Sequence, residues 1–203
     1  MRSSAFSDLL ESFKKGVSSV GVVGIGYIGL PTAAILAEAG YNVVGVDVDS
    51  SKVDMLNEGR CYVAEPGLAD LVSQVVGAGS LWASRDFAAL VDCDALVFCT
   101  QTPLNESGNP NLDILFSAVD SAIPHAKECL LVVCESTVPI GTTKRIAQRF
   151  IEGGRHELDE NLWVAHCPER VLPGRVLREF KENYRIIGGL TPDSASLAKA
   201  LYQ

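Results

Sequence analysis

Gly24-x-Gly26-x-x-Gly29 is the sharpest chemical signal in the chain. The triplet follows a β-branched run at 17–23 and opens a helical pattern at 30–39. A carboxylate, Asp47, closes the next apolar run, at 42–48. Strand, glycine turn, helix and an acid about 20 residues on together make a dinucleotide-binding fingerprint. Each part has a mechanical task. Gly24 turns the chain tightly, Gly26 lets backbone approach a diphosphate, and Gly29 lets helix and strand pack closely. The helix N-terminus offers free N–H groups and a partial positive charge to phosphates. Asp47 is placed to accept hydrogen bonds from the adenosine ribose, and its charge repels a 2′-phosphate. The reading is NAD rather than NADP.

A second set of polar residues follows two further apolar runs, which end at Thr100 and Glu135. Thr100, Thr102, Ser136 and Thr137 lie where ligands sit in an open parallel sheet, beyond the carboxyl ends of the strands. Loop hydroxyls also serve simply to satisfy backbone groups. The six cysteines form no CxxC pair and no zinc spacing, so no metal is expected. Several fall in apolar runs, where a thiol acts as a small hydrophobe. His125, His156 and His166 read as surface or strand-end residues, and none pairs with an acid in a way that suggests hydroxyacid dehydrogenation.

These groups need a scaffold that repeats. Apolar strands at 17–23, 42–48, 81–83, 94–100, 129–135 and 161–166 alternate with helical stretches at 30–39, about 50–57, 65–76, 86–91, 111–126 and 141–152. Ser50 or Ser51 caps the second of these helices, and Pro124 marks the end of the fifth. One more strand is expected at 184–187 and a closing helix at 192–202. Strands apolar on both faces, separated by helices, make a parallel sheet covered on both sides. The fold class is α/β, a doubly wound Rossmann-type sheet. Ahead of it, Phe6, Leu9, Leu10 and Phe13 have helical spacing, giving a lead-in helix over 1–16 with Ser7 or Asp8 as cap and Gly16 as stop. The main domain runs over 17–203.

Composition bounds the partners. The 203 residues carry a formal net charge of −8, with 47% hydrophobic and 21% charged residues. The balance argues against nucleic acid or an anionic membrane surface as the main partner. No opening signal peptide and no run long enough to span a bilayer are found, which reads as cytoplasmic.

Seven segments, in order, resemble the UDP-glucose/GDP-mannose dehydrogenase family. They are Gly24-Ile25-Gly26-Tyr27-Ile28-Gly29-Leu30-Pro31; Asp47-x-Asp49-x-x-Lys52 with Leu56-Asn57; Glu65-Pro66-Gly67-Leu68; and Gln101-Thr102-Pro103. Then come Ser136-Thr137-Val138-Pro139 with Gly141-Thr142-Thr143; Cys167-Pro168-Glu169-Arg170-Val171-Leu172-Pro173-Gly174; and Arg185-Ile186-Ile187-Gly188-Gly189. The sixth is most similar to the UDP-N-acetyl-D-mannosamine dehydrogenase branch. The UDP-glucose branch usually has Phe-Leu after Pro-Glu and a second acid before the glycine, where this chain has Arg170 and Pro173. UDP-glucose and UDP-N-acetylglucosamine 6-dehydrogenases stay open as alternatives, as does a non-catalytic NAD-binding module.

The resemblance implies a chemistry. A UDP-sugar C6 hydroxyl is oxidised twice, to the carboxylate, with two NAD, while a cysteine thiolate holds the intermediate as a thiohemiacetal and then a thioester that water hydrolyses. It places Lys52 on the adenosine side, Tyr27 and Ile28 along the diphosphate turn, Thr100 and Thr102 against the cofactor, and Thr137 at the nicotinamide end. Glu169 becomes the general base for the water, and Arg170, Val171 and Leu172 touch the sugar. Cys167 is expected to be structural. The family's nucleophile lies in a Gly-Gly-x-Cys-like loop, whereas Gly188-Gly189 leads here into Leu190 and Thr191. The catalytic cysteine and lysine, the central helix and the UDP-binding half are therefore expected beyond Gln203. The isolated chain is expected to be inactive, and the full-length enzyme to be a homodimer.

Overall fold

The computed structural model describes residues 4–203, so the first three residues of the lead-in stretch lie outside the described residues. Seven strands form one sheet: β1 (Ser19–Val23), β2 (Asn42–Val46), β3 (Leu81–Ser84), β4 (Ala95–Phe98), β5 (Leu130–Cys134), β6 (Leu162–His166) and β7 (Gly188–Gly189). Their order is β3-β2-β1-β4-β5-β6-β7. β1 through β6 are parallel, and β7 alone runs antiparallel, on β6. Val20 faces Val43 of β2 on one side and Ala95 of β4 on the other. The chain therefore winds outward from β1 in one direction and then in the other. The reversal leaves a crevice at the carboxyl ends of β1 and β4.

Strand side chains alternate between two cores, as the pleat requires. Val20, Val22, Val97 and Val133 join one core with Phe6, Leu30 and Trp163. Val23, Leu96, Phe98 and Val132 join the other with Leu115, Phe116 and Phe150. The first core is roofed by α1 (Ser4–Lys15), α2 (Gly29–Glu38), α3 (Ser50–Asn57), α4 (Leu68–Gly77) and α8 (Pro192–Leu201); the second by α5 (Asp113–Ala122) and α6 (Thr142–Glu152). Among the described residues no helix is long and apolar enough to cross a membrane.

Local chemistry shifts several expected boundaries. Asp49, not Ser50 or Ser51, caps α3, its Oδ1 accepting from the Ser51 N–H at 2.9 Å. α1 already runs through Ser7 and Asp8, so neither caps it. α4 starts at Leu68 rather than 65, because Gly67 takes a left-handed φ of 79° and Glu65 is engaged elsewhere. α5 hands over at Ala122 to a 3-10 turn, Ile123–His125, around Pro124.

Two expectations at the chain's end are corrected. The strand anticipated at 184–187 is instead Gly188–Gly189. Arg185 has to turn inward to a buried carboxylate, and Tyr184 and Ile186 are left exposed, so this stretch cannot pair in the sheet. The segment before it holds a helix that the sequence reading lacked, α7 (Val176–Glu182). It buries only Val176 and Phe180, and Arg175 at its N-terminus provides no side-chain cap.

α1 is part of the first core. Phe6, Leu9 and Phe13 are buried, and the Phe6 ring meets Trp163 edge-on at 6.0 Å. Phe6→Ala should cost about 3 kcal/mol or more in urea unfolding, in line with other buried Phe truncations. A loss under about 0.5 kcal/mol, the level of surface changes, would show that the helix is dispensable to the core.

Candidate functional site

Backbone geometry separates the three fingerprint glycines. Gly24 has φ +89°, and a Cβ there would stand 3.0 Å from the Cys99 carbonyl oxygen of the neighbouring loop. A Cβ at Gly29 would fall 1.8 Å from the Gly24 carbonyl oxygen, so the first turn of α2 can lie on the end of β1 only without a side chain. Gly26 is different: a Cβ there would meet nothing within 4 Å. The surface it leaves bare faces open space, as a backbone kept clear for a ligand would. Ile28 is the half-buried residue from which α2 springs, its carbonyl accepting from Thr32 N–H at 3.0 Å. Leu30 N–H is already bonded to the Gly26 carbonyl at 3.1 Å and Pro31 has no N–H, so the amides left for a ligand are those of the turn itself, 26–29.

A crevice of about 580 Å³ opens beside the turn. Gly24, Gly26, Asp47, Lys52 and Thr100 all line it. Asp47 stands at the end of β2 with its side chain 9% exposed. Its Oδ2 accepts from Ile25 N–H at 3.1 Å and pairs with Lys52 Nζ at 3.3 Å, while Oδ1 accepts from Asp49 N–H at 3.0 Å. The carboxylate is thus fixed against the glycine turn. Tyr62 adds a brace, its hydroxyl donating to the Ile25 carbonyl at 2.6 Å. The far wall was invisible to motif reading: Phe87, then Ile114, Ser117, Ala118 and Ser121 from α5. Only the helical pattern of α5, placed opposite β2 by the sheet order, could have pointed there.

Thr102 and Thr137 do not line this crevice. They tie the loops after β4 and β5 together, the Thr102 hydroxyl donating to the Thr137 carbonyl at 2.7 Å. Ser136 adds a bond to the Thr100 carbonyl at 2.8 Å. Glu169, Arg170, Val171 and Leu172 form a separate loop after β6, between Cys167 and α7. Burial raises the Glu169 carboxyl above its ordinary value, although its Oε1 accepts from the Val171 N–H. Glu169, Arg170 and Val171 rim a small recess with Phe180 and Tyr184, and Leu172 is exposed.

Two buried carboxylates that the sequence reading left without a role connect these parts. Glu135, 0% exposed at its side chain, follows β5. Its Oε1 accepts from Arg185 Nη1 at 3.1 Å and the Tyr202 hydroxyl at 2.8 Å; its Oε2 accepts from Thr32 at 2.9 Å and the Cys99 thiol at 3.3 Å. Arg185 is also stacked over the Tyr202 and Phe180 rings. Glu65 is 7% exposed. Its Oε1 accepts from the Tyr27 hydroxyl and from Gly174 N–H at 2.7 Å, and its Oε2 from Val176 N–H at 3.3 Å. Burial pushes the Glu65 carboxyl up, but the bonds from Tyr27 and the two amides outweigh it and hold the group below its ordinary 4.5. The bond to Glu65, with burial, lifts the Tyr27 phenol to about 12.

Burial raises all six thiols above the ordinary cysteine value, so none is a thiolate at neutral pH. Cys167 is fully buried and close to Arg185, in keeping with a structural role. His156 is not a surface residue: it is buried against Phe150 and bonded to the Lys127 carbonyl. No group of three or more potential ligands is placed to hold a metal ion among the described residues.

Known proteins share this architecture. Residues 18–203 match the model for the UDP-glucose/GDP-mannose dehydrogenase family, NAD binding domain. A UDP-N-acetyl-D-mannosamine dehydrogenase of Methanococcus maripaludis is 41% identical over 191 residues, 92% of this chain and 42% of that protein. Among solved structures, the UDP-D-ManNAc dehydrogenase of Pyrococcus horikoshii superposes with a TM-score of 0.88 at 36% identity, covering 91% of this chain and 44% of the other. The NDP-N-acetyl-D-galactosaminuronic acid dehydrogenase of Methanosarcina mazei Go1 superposes with 0.89 at 32% identity, covering 100% and 44%. The chain spans less than half the length of these relatives.

Both carboxylates yield predictions. Glu135→Ala strands the Arg185 guanidinium, 20% exposed, without its counter-charge, which should cost about 3–5 kcal/mol in urea unfolding. Glu135→Gln, which loses the charge but keeps an acceptor, should cost less yet still measurably, and a Gln variant as stable as the wild type would discount the ion pair. Glu65 titrates below its ordinary value, so the stability it contributes is complete above that value and fades as pH falls through the folded one. The stability gap between the chain and Glu65→Gln should therefore narrow between about pH 6 and about pH 3. A gap constant across that range would contradict the bonding described.

Proposed function

The chain belongs to the UDP-glucose/GDP-mannose dehydrogenase family as its NAD-binding domain, and on that premise we propose that it supplies the cofactor half of an NAD-dependent UDP-sugar 6-dehydrogenase. The sugar favoured is an N-acetylated hexosamine, of the UDP-N-acetyl-D-mannosamine type. The observation that carries the cofactor assignment is the contrast among the glycines: 24 and 29 are closed by backbone, and 26 opens on the crevice that holds Asp47. That arrangement fits a dinucleotide, with the bare amides of the glycine turn for a diphosphate and a fixed carboxylate for a ribose.

In this reading Gly26, Tyr27 and Ile28 present backbone to the diphosphate. Asp47 accepts from the adenosine ribose, and Lys52, already paired with it, holds its orientation. Thr100 orients the far end of the cofactor. Thr102 and Thr137, bonded to each other, keep the loops after β4 and β5 in one shape there. NAD, when bound, supplies the hydride acceptor. Glu169 takes a proton from water; its raised pKa keeps it closer to neutral pH than an exposed carboxylate, as a base needs. Arg170, Val171 and Leu172 meet the sugar. The raised thiols support a nucleophile outside this chain, so the second half of the enzyme completes the site and the chain alone does not turn over sugar.

Calorimetry tests the cofactor step. The chain should bind NAD saturably and NADP more weakly. Asp47→Ala should lose roughly tenfold or more of the NAD affinity, the value of a hydrogen bond to a charged group, and should narrow the preference. A folded chain without saturable NAD binding would sink the reading. For the sugar step, the chain mixed with NAD and UDP-N-acetylmannosamine should form no NADH, whereas a polypeptide carrying the second half should restore it. Cysteine-dependent NADH formation by the chain alone would refute that division of labour. NAD binding that no second half converts into turnover would favour a non-catalytic module.

A further inference from the structure

Glu65 lies outside the cofactor crevice, yet it touches both halves of the proposed site. One of its oxygens receives the hydroxyl of Tyr27, which follows the open glycine of the dinucleotide turn. The same oxygen receives Gly174 N–H at 2.7 Å, and the other receives Val176 N–H at 3.3 Å. Gly174 and Val176 end the loop that begins at Glu169 and lead it into α7. The partners are 109 and 111 residues away in sequence from Glu65, and Tyr27 is 38 away. One buried carboxylate thus joins three parts of the chain, and its bonds to them are charge-assisted.

We propose that Glu65 is a positioning residue that couples occupancy of the dinucleotide turn to the order of the 169–174 loop. The argument is mechanical and rests on the NAD reading above. A diphosphate bound to the amides of the turn removes backbone freedom at Tyr27. A Tyr27 side chain with fewer accessible positions holds its bond to Glu65 for more of the time. Glu65, so fixed, keeps the Gly174 and Val176 amides in place and with them the loop carrying Glu169 and Arg170. No large movement is required, because a ligand that rigidifies one segment reduces the ordering cost of the next. The linkage is reciprocal: a sugar ligand that orders the loop favours cofactor binding by the same factor.

Amide hydrogen exchange on the whole chain, with and without NAD, tests the coupling. In the wild type, NAD should slow exchange across 24–30 and also slow it at least fivefold across 170–176. In Glu65→Ala, NAD should bind within about threefold of the wild-type affinity and still protect 24–30, while exchange at 170–176 no longer responds to it. Glu65→Gln, which keeps one acceptor oxygen, should restore part of the response. Loop exchange that is merely faster would show only a structural role, so the deciding quantity is its dependence on NAD. Wild-type protection confined to 24–30 would overturn the proposal, whether or not the variants fold, and so would a variant loop that responds to NAD as before. A chain that binds no NAD would bring down the cofactor assignment itself, a distinct result.

Discussion

The closeness of α2 to the end of β1 is the constraint from which the rest of the molecule follows. With 1.8 Å between a would-be Cβ at 29 and the Gly24 carbonyl oxygen, there is no room for any side chain at this contact. The helix can then start directly over the strand, leaving the amides of the turn at 26–29 unpaired beyond the carboxyl end of the strand. β1 is paired on both sides, by β2 and β4, so this point is held from both directions. The open face at Gly26 exists because its neighbours are shut. A ligand approaching Gly26 would meet backbone without displacing side chains.

Around that fixed point the fold uses buried carboxylates as fasteners. A carboxylate removed from water is tolerable only if its lone pairs are filled. Glu135 gathers donors from α2, from the loop after β4, from Arg185 and from Tyr202 after the last helix. Glu65 gathers them from the dinucleotide turn and the start of α7. Both join sequence-distant segments near the carboxyl end of the sheet. In this way the α/β frame passes its rigidity to loops that have no regular structure of their own.

How much of this was legible depended on range. Alternating apolar runs disclosed six of the strands and the parallel sheet, because side-chain burial on both faces is written locally. The glycine triplet and Asp47 were legible for the same reason, since strand, turn, helix and acid fall within about 30 consecutive residues, the span of a βαβ unit. Glu135 and Glu65 were present in recognisable segments, but nothing nearby in sequence tells that their donors arrive from 50, 67 or 109 residues away. α7 was missed because a seven-residue helix that buries only two side chains and has no capping side chain makes too weak a period. The last strand was misplaced because Ile186 and Ile187 look like strand, whereas Arg185 is committed to Glu135 and breaks the ladder. The α5 wall of the crevice has no motif at all; it acquires its position only from the sheet order.

The single antiparallel strand changes how this surface meets other protein molecules. An exposed strand edge is a template for intermolecular pairing and, in time, for aggregation. At one edge β7 closes the sheet with only two residues, both glycine, and a Cβ at Gly189 would come within 2.3 Å of the Ala195 amide nitrogen in α8. That edge is too short and too closely covered to recruit a foreign strand. The opposite edge, β3, has four residues and a half-exposed Trp82. Self-association by strand addition is therefore a hazard of one side of the molecule, and changes aimed at solubility belong on β3.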